Sequence, residues 1–391
     1  MDGWSAGLHF KAPLQRPFGF KSPPQRMARV TVVGAGIAGL ATALYATTAG
    51  HHVVVLDRTD RLGGRGTSQT IDAAPFGYGL HLLQKRGPLA NLIKKISRLP
   101  LVLASPRLDR LNVANVGPIR PRNNVRLAAN RRRALRQGDA TSPIVQAAAL
   151  LAGSGTPDTS TRFRALLRQR LCVVGEGWAG LVGRMAAALD EVGVLIEPNC
   201  TVESVEAGRV VLEDGRTFES DVVVLACGFG QASRLLGGLD DHDMTQVTPV
   251  RASTIDMTLA SRPLGPLHGI LDPEEGAYIV DAANIQRRWH LEGAFLSAVM
   301  TQRPGEDSQA RLERLEEFID LHAVGWRQHV LHERKQPSIV VQTEGHKPPF
   351  DAFARHGILL AGEWVACDHT LADAAAFTGR HAGQNIATAL R

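Results

Sequence analysis

Between Arg29 and Arg65 the chain lays down a strand, a glycine turn, a helix, a second strand, an acid and a second glycine turn. That order constrains the fold more than any other feature, because each part answers a separate demand of binding a dinucleotide. Val30-Thr31-Val32-Val33 is β-branched and apolar, as a strand buried on both faces should be. It feeds directly into Gly34-Ala35-Gly36-Ile37-Ala38-Gly39. In such a run Gly34 makes the tight turn, Gly36 lets the backbone approach a pyrophosphate, and Gly39 lets the helix sit close to the strand. The predicted helix, Ile37 to about Thr48, turns the N–H groups of its first residues, Ile37 and Ala38 among them, toward the phosphates, and Gly50 is placed to end it. His52-Val53-Val54-Val55-Leu56 is the second strand. It delivers Asp57, about eighteen residues past Gly39, where a carboxylate accepts hydrogen bonds from ribose hydroxyls.

The 391 residues, 44% of them hydrophobic, suffice for a large core and suggest two domains interleaved in sequence. The longest apolar stretches, such as 144–151 and 222–227, fall well short of the ~18 residues of a spanning helix, so no transmembrane segment is expected. Cys172, Cys200, Cys227 and Cys367 are widely scattered, which points to neither a disulfide framework nor a metal site and fits a reducing cytoplasm. Residues 1–26 lack the apolar core and cleavage site of a secretory signal, and Met27-Ala28-Arg29-Val30 would be a natural start, so 1–27 is taken as an extension. The net charge of +6 owes much to arginines between Arg120 and Arg136, including Arg131-Arg132-Arg133. A run of this kind is usually a solvated face. It contains no interleaved aromatic residue, so nucleic acid is not expected as a partner, whereas peripheral membrane contact through the amphipathic 120–150 region stays open.

After the second strand, Arg58 leads through Asp60-Arg61-Leu62 to Gly63-Gly64-Arg65, glycines able to wrap closely round a ligand followed by an arginine for its phosphate. Phe76-Gly77-Tyr78-Gly79-Leu80-His81 follows, then an amphipathic helix from about Pro88 to Arg98. Residues 99–167, with a polar loop at Gly153-Ser154-Gly155-Thr156-Pro157, look like an insertion from a different domain. A second fingerprint, Leu171-Cys172-Val173-Val174 into Gly175-Glu176-Gly177-Trp178-Ala179-Gly180, would alone suggest a pyridine-nucleotide site. A whole second nucleotide domain needs several more strand and helix units. Instead Val194-Leu195-Ile196 runs into a short meander over 202–218 that closes with the buried strand Val222 to Ala226 and Gly228. The second fingerprint therefore belongs to the first site. Residues 247–303 alternate like antiparallel strands at Ala252 to Leu259, Gly269 to Leu271, Ala277 to Asp281 and Ala294 to Met300. A charged helix from about Ser308 to Leu331 and a strand at Ser338 to Gln342 come next.

With Gly357-Ile358-Leu359-Leu360-Ala361-Gly362-Glu363-Trp364 and 371–380 added to these blocks, the chain resembles the FAD-dependent oxidoreductase superfamily of phytoene desaturases, protoporphyrinogen oxidases and flavin amine oxidases. The resemblance covers nearly half the chain, and it implies FAD as cofactor and an α/β architecture. A Rossmann-type FAD-binding domain (28–97, 168–246 and 336–391) would be interleaved with an α+β substrate domain (98–167 and 247–335). It further implies that Gly34, Gly36 and Gly39 meet the pyrophosphate, Asp57 the adenosine ribose, and Gly64 and Arg65 the phosphate and ribityl region, with Arg58 also among the cofactor-binding residues. Val202 corresponds to a valine whose backbone meets adenine, with Gly228 closing that side. Gly362 and Glu363 correspond to the glycine and acid that contact ribityl or pyrophosphate groups. Asp373, Ala374 and Ala375 would open the last helix beside the flavin, where N–H groups stabilise negative charge. Two departures leave the substrate side open. Gly77 stands where the family often has an acid, and no aromatic pair for sandwiching an amine is evident, although Trp364 or Phe377 can supply one member.

An FAD enzyme of this kind takes hydride from a small organic substrate, and a low aromatic content of 5% fits a largely apolar molecule better than a cationic amine. His81, Glu363 and Lys347 are candidate bases by position alone, with His81 favoured as structural or flavin-contacting and Lys347 as a surface loop residue. Trp289, Tyr278 and Phe295 are expected in the core. The alternatives are a flavin amine oxidase, a redox-neutral flavin isomerase, and a non-catalytic escort-type binding protein.

Overall fold

The computed structural model describes residues 27–71, 74–153, 171–206, 208–239, 242–289 and 291–390. The extension 1–26, most of the polar loop after Gly153 and the expected domain border at 167/168 lie outside the described residues.

Apolar β-branched segments build a five-stranded parallel sheet in the order Leu195–Glu197, His52–Leu56, Arg29–Val33, Val222–Leu225, Ile358–Leu360. Val30 stands opposite both Val53 and Val222, so the first strand is central and paired on both edges. Period-two alternation sends Val30, Val32, Val53, Val55, Val222 and Val224 to a helical layer made of Ile37–Thr48, Gly177–Glu191 and Leu371–Gln384. Val33, Val54, Leu56, Val223 and Leu225 face the opposite way, onto the three-stranded meander Val202–Glu206, Arg209–Leu212, Thr217–Glu219. The strands read as continuous apolar runs because both faces are covered. The first and last helices cross closely: a Cβ on Gly379 would lie 2.3 Å from the Ala38 carbonyl oxygen, and one on Gly383 2.5 Å from that of Thr42.

A second sheet of seven strands runs Val330–Gly345, Val247–Leu259, Ala294–Thr301, Ala277–Asp281, Gly269–Asp272, Leu111–Val113, Gly117–Pro118. Ile255, Met257, Leu296, Ala298 and Met300 pack beneath Leu312, Leu315 and Phe318 of the helix Ser308–His322. That leaves Thr254, Asp256, Thr258, Phe295, Ser297 and Val299 on the other face. Leu111–Val113 pairs in parallel with Gly269–Asp272, so the inserted segment joins this sheet.

Two elements differ from expectation. The charged helix stops at His322, where Ala323 departs from helical geometry, rather than at Leu331. Val330–Gly345 is one long edge strand, not the short Ser338 to Gln342, because it pairs along its length with Val247–Leu259. Pro337 is accommodated at a bulge, where the register shifts between Ala252 and Thr254 and Ser253 Oγ donates to the Pro337 carbonyl at 2.7 Å. This strand runs unbroken through the expected border at 335/336. Among the described residues no helix is long and apolar enough to cross a membrane.

Candidate cofactor and active site

The C-terminal ends of the parallel strands meet at three glycines with different duties. Gly34 holds φ +108°, and a Cβ there would sit 2.9 Å from backbone atoms of Ala226 and Cys227. On Gly39 a Cβ would fall 1.8 Å from the Gly34 carbonyl oxygen. Among the described residues nothing lies within 4 Å of a Cβ placed on Gly36, so this glycine faces open space at the start of a helix that has no side-chain cap. The chain's own packing demands the first and third glycines, and only the second is left for a ligand. Asp57 is fixed at the rim of the same turn. Its Oδ2 accepts from Ala35 N at 2.7 Å, and its Oδ1 accepts from Thr59 N and Thr59 Oγ1, both at 2.9 Å. Arg58 beside it is exposed, and the neighbouring Cys227 thiol is pushed up to about 12 by burial.

The second glycine turn docks on the first. Gly63 N donates to the Ala35 carbonyl at 2.8 Å, and a Cβ on Gly64 would lie 3.3 Å from Gly36 Cα. Arg65 then reaches across to the edge strand, donating to the Val340 and Val341 carbonyls at 3.2 Å and to Glu363 Oε1 at 3.3 Å. Glu363 is buried, and its Oε2 accepts from Thr343 N at 3.0 Å and Thr343 Oγ1 at 3.1 Å. Lys347 is drawn inward rather than lying free on the surface, donating to the Glu363 carbonyl at 2.7 Å with Nζ 3.6 Å from Oε2. Two cations and two neutral donors therefore surround one carboxylate, which suits a structural tie better than a general base. Gly362 N donates to Thr378 Oγ1 at 2.9 Å, fixing this block to the last helix.

Several expected contacts are placed differently. The Asp373 carboxylate accepts from Leu89 N at 2.9 Å and so caps the helix Pro88–Ile96; burial there raises its pKa to about 7. The N–H groups of Asp373 and Ala374 close on the Thr370 carbonyl, both at 3.1 Å, and Ala375 follows them into the helix. The N–H groups ahead of this closure are those of Leu371 and Ala372, earlier than expected. Leu371 holds φ +50°, a left-handed conformation rare outside glycine. Thr-x-x-Asp at 370–373, a helix-start pattern, marks Thr370 as the cap and could have located this turn. Val202 spends its carbonyl on Gln231 Nε2 at 3.1 Å and Arg234 at 2.8 Å, both from the helix Phe229–Leu235 that Gly228 caps. Trp364 is 1% exposed, with its indole N–H on the Cys227 carbonyl at 3.0 Å, and so belongs to the core rather than to a cage. Phe377 packs beside His369 with ring centroids 4.9 Å apart. Trp289 and Phe295 are core, as expected.

The loop 76–81 is stapled to the polar face of the large sheet. Gly79 N donates to Asp256 Oδ2 at 3.0 Å, Ser297 Oγ donates to Oδ1 at 2.5 Å, and Arg334 reaches the Phe76 and Gly77 carbonyls at 3.4 and 3.5 Å. Burial raises the Asp256 pKa to about 6, and the same environment raises that of Tyr278. Asp256 went unnoticed in the sequence, although Thr254, Asp256 and Thr258 alternate with Ile255, Met257 and Leu259, a polar row inside an otherwise buried strand. His81 is pinned between two carbonyls, with Nδ1 2.8 Å from Gly79 O and Nε2 2.8 Å from Arg65 O, and its ring stacks obliquely on Trp178. Desolvation holds its pKa below the ordinary histidine value, against the pull of both carbonyls. The neutral ring carries one N–H and donates to one of these two carbonyls, so His81 sits where it links the loop 76–81 to the Arg65 turn, a structural position.

The residues fit FAD on two observations. Among the described residues, open space faces Gly36 beside a helix start without a side-chain cap, and the Thr370 hydroxyl, 5% exposed, has no hydrogen-bond partner where the last helix begins. Known proteins agree. A putative protoporphyrinogen oxidase from Exiguobacterium sp. 255-15 superposes with a TM-score of 0.70 at 17% identity, covering 93% of this chain and 99% of that one. An oxidoreductase from Methanosarcina mazei gives 0.69 at 15% identity, covering 90% and 98%. At these identities the likeness speaks for the fold alone. The phytoene desaturase (neurosporene-forming) of Rhodobacter capsulatus is 47% identical over 53 residues, a match spanning 14% of this chain and only 10% of that protein. The model of the FAD dependent oxidoreductase family matches residues 29–320, so the chain belongs to that family and is an FAD-dependent oxidoreductase.

Proposed function

We propose that the protein removes hydride from a small, largely apolar organic substrate, acting as a dehydrogenase, desaturase or oxidase. Bound FAD supplies the two-electron acceptor. The observation that carries the substrate reading is that the aromatic side chains which could cage a cationic amine are spent elsewhere: Trp364 is 1% exposed in the core, and Phe377 packs beside His369. A site without such a cage takes its substrate by shape, holding the reacting carbon in place and excluding water while hydride leaves.

In this reading the segments 28–97, 168–246 and 336–391 carry FAD, and 98–167 and 247–335 bind substrate. The parallel sheet draws its strands from the first set, and the large sheet draws all but part of its edge strand from the second. Gly36 with the Ile37 and Ala38 N–H groups receives the pyrophosphate, Asp57 and Arg58 the ribose, and Gly64 and Arg65 the ribityl side. Thr370 and the first N–H groups of the last helix face the flavin. Purified protein should show flavin absorbance that bleaches anaerobically with an apolar hydride donor. A protein that stays colourless after reconstitution with FAD would refute the cofactor site. Bleaching by cationic amines alone would refute the apolar substrate.

A further inference from the structure

The helix Val125–Gln137 has no buried residue along its 13 positions. It touches the rest of the chain along one stripe. Ala134 and Leu135 lie against Val145 and Ala149 of the helix Pro143–Leu151, and Arg131 donates to the carbonyls of Pro118 and of Val116, the latter at 2.8 Å. Helical periodicity turns Arg126, Arg132, Arg133 and Arg136 away from that stripe, and all four are exposed. None of them makes an ion pair among the described residues. Val125, at the start of the same outward face, is 82% exposed, and Leu127, Val116 and Leu108 are exposed nearby.

Residues 107–136 contain nine arginines and a single acid, Asp109, which Arg107 and Arg122 already claim. This stretch alone carries +8 while the whole chain carries +6, so the remainder is net negative. A solvated face needs neither this segregation of charge nor a valine and leucines held in water beside it. Arginines and a valine on one outward helix face, with Leu127, Val116 and Leu108 exposed around it, match a bilayer surface, where guanidinium groups meet lipid phosphates and short apolar side chains enter the interface. We propose that this arginine face docks the protein on an anionic lipid surface. Nucleic acid is the weaker match, because the stretch offers no aromatic side chain for base stacking. The Leu111–Val113 strand ties the docking face to the edge of the large sheet, so a lipid-dissolved substrate would be delivered on that side. That consequence rests on the apolar-substrate reading; the docking itself does not.

The test is cosedimentation of the FAD-loaded protein with phosphatidylcholine vesicles, with and without phosphatidylserine, at low and high salt. Binding is expected only with phosphatidylserine and should weaken as salt rises. The variant R126Q/R132Q/R133Q/R136Q should lose about a hundredfold or more in partitioning while keeping wild-type flavin content. It leaves Arg131 and the hairpin contacts intact. Should it fold poorly, Val125→Asp provides an independent variant expected to weaken vesicle binding with all arginines in place. Equal binding to neutral vesicles, undiminished binding by both variants, or tighter binding to a short DNA duplex than to anionic vesicles would each overturn the proposal.

Discussion

Replacing Asp256 with Asn removes a charge from the site without removing a hydrogen bond. The carboxyl is 1% exposed, and each oxygen has one donor, Ser297 Oγ on one side and Gly79 N on the other. An amide can keep its oxygen toward Gly79 and turn its nitrogen toward Ser297, whose hydroxyl rotates to accept. Burial lifts the pKa from 3.8 in an exposed aspartate to about 6. An acid whose folded pKa lies above its unfolded value binds its proton more tightly when folded, so its stabilising effect is present at low pH and is lost as pH rises through that window. The gap from 3.8 to about 6 corresponds to about 3 kcal/mol. Asp281, about 6, and Asp373, about 7, titrate in the same direction, but they are common to both proteins and cancel in the comparison. Urea unfolding of wild type and Asp256→Asn across this range should therefore show the variant gaining about 3 kcal/mol relative to wild type as pH rises. Parallel pH profiles would refute the buried carboxylate. Asp256→Ala, which strands both donors, should instead cost roughly 2–5 kcal/mol.

The two open questions at the glycine turn separate cleanly. Gly39→Ala drives a Cβ into the Gly34 carbonyl and should cost about 1–3 kcal/mol in the melting of the apoprotein, whereas Gly36→Leu should melt like wild type yet retain no flavin absorbance. Thr370→Val replaces an unpartnered buried hydroxyl with a methyl, so apoprotein stability should hold or rise while FAD affinity falls about tenfold in a fluorescence titration. Asp373→Ala removes the cap on Leu89 and should lower the melting point by the equivalent of about 1 kcal/mol near the acid end of the stability curve. Because the Asp373 pKa is raised from 3.8 to about 7, a gap worth about 4 kcal/mol, the deficit should vanish and reverse as pH rises through this window, where the wild-type carboxylate becomes a buried charge.

The parallel sheet was legible because its signals are local. A β-branched run, a glycine turn and an alanine-rich helix each state their conformation within a few residues, and Ile37–Thr48 and His52–Leu56 fall where periodicity puts them. What escaped the sequence depends on partners far along the chain. Val330–Gly345 contains Pro337 and little alternation of its own, and it is a strand because Val247–Leu259 supplies a ladder and a bulge to hold it. Asp373 looked like a flavin-side residue because it opens a helix. Its carboxylate is committed to a backbone N–H 284 residues away, a pairing that only tertiary structure creates. Lys347 looked exposed by composition, but the buried carboxylate of Glu363, itself held by Arg65 and Thr343, draws it in.

The second glycine run shows why the same letters need not make the same site. Gly175-Glu176-Gly177-Trp178-Ala179-Gly180 follows a strand and opens a helix, as the first run does, but its strand Leu171–Val174 pairs antiparallel with Leu83–Gln84 and Leu103–Ala104, outside the parallel sheet. At its end Gly175 N donates to the Val102 carbonyl at 2.8 Å instead of facing a ligand. Charge closes the position as well. Glu176 occupies the cap of the helix Gly177–Glu191, folds over Gly180 so that a Cβ there would meet its Cγ at 2.8 Å, and is held by Arg184 at 2.7 Å. A carboxylate at the positive end of the helix dipole stands where a phosphate would have to come. The first run has alanine at the matching position, no acid in its first turn, and open space at its middle glycine. The second helix instead braces the first site from behind, with Val182 and Trp178 filling the space over Gly63 and Gly66, so a bulky residue at either glycine would disturb the turn that carries Gly64 and Arg65.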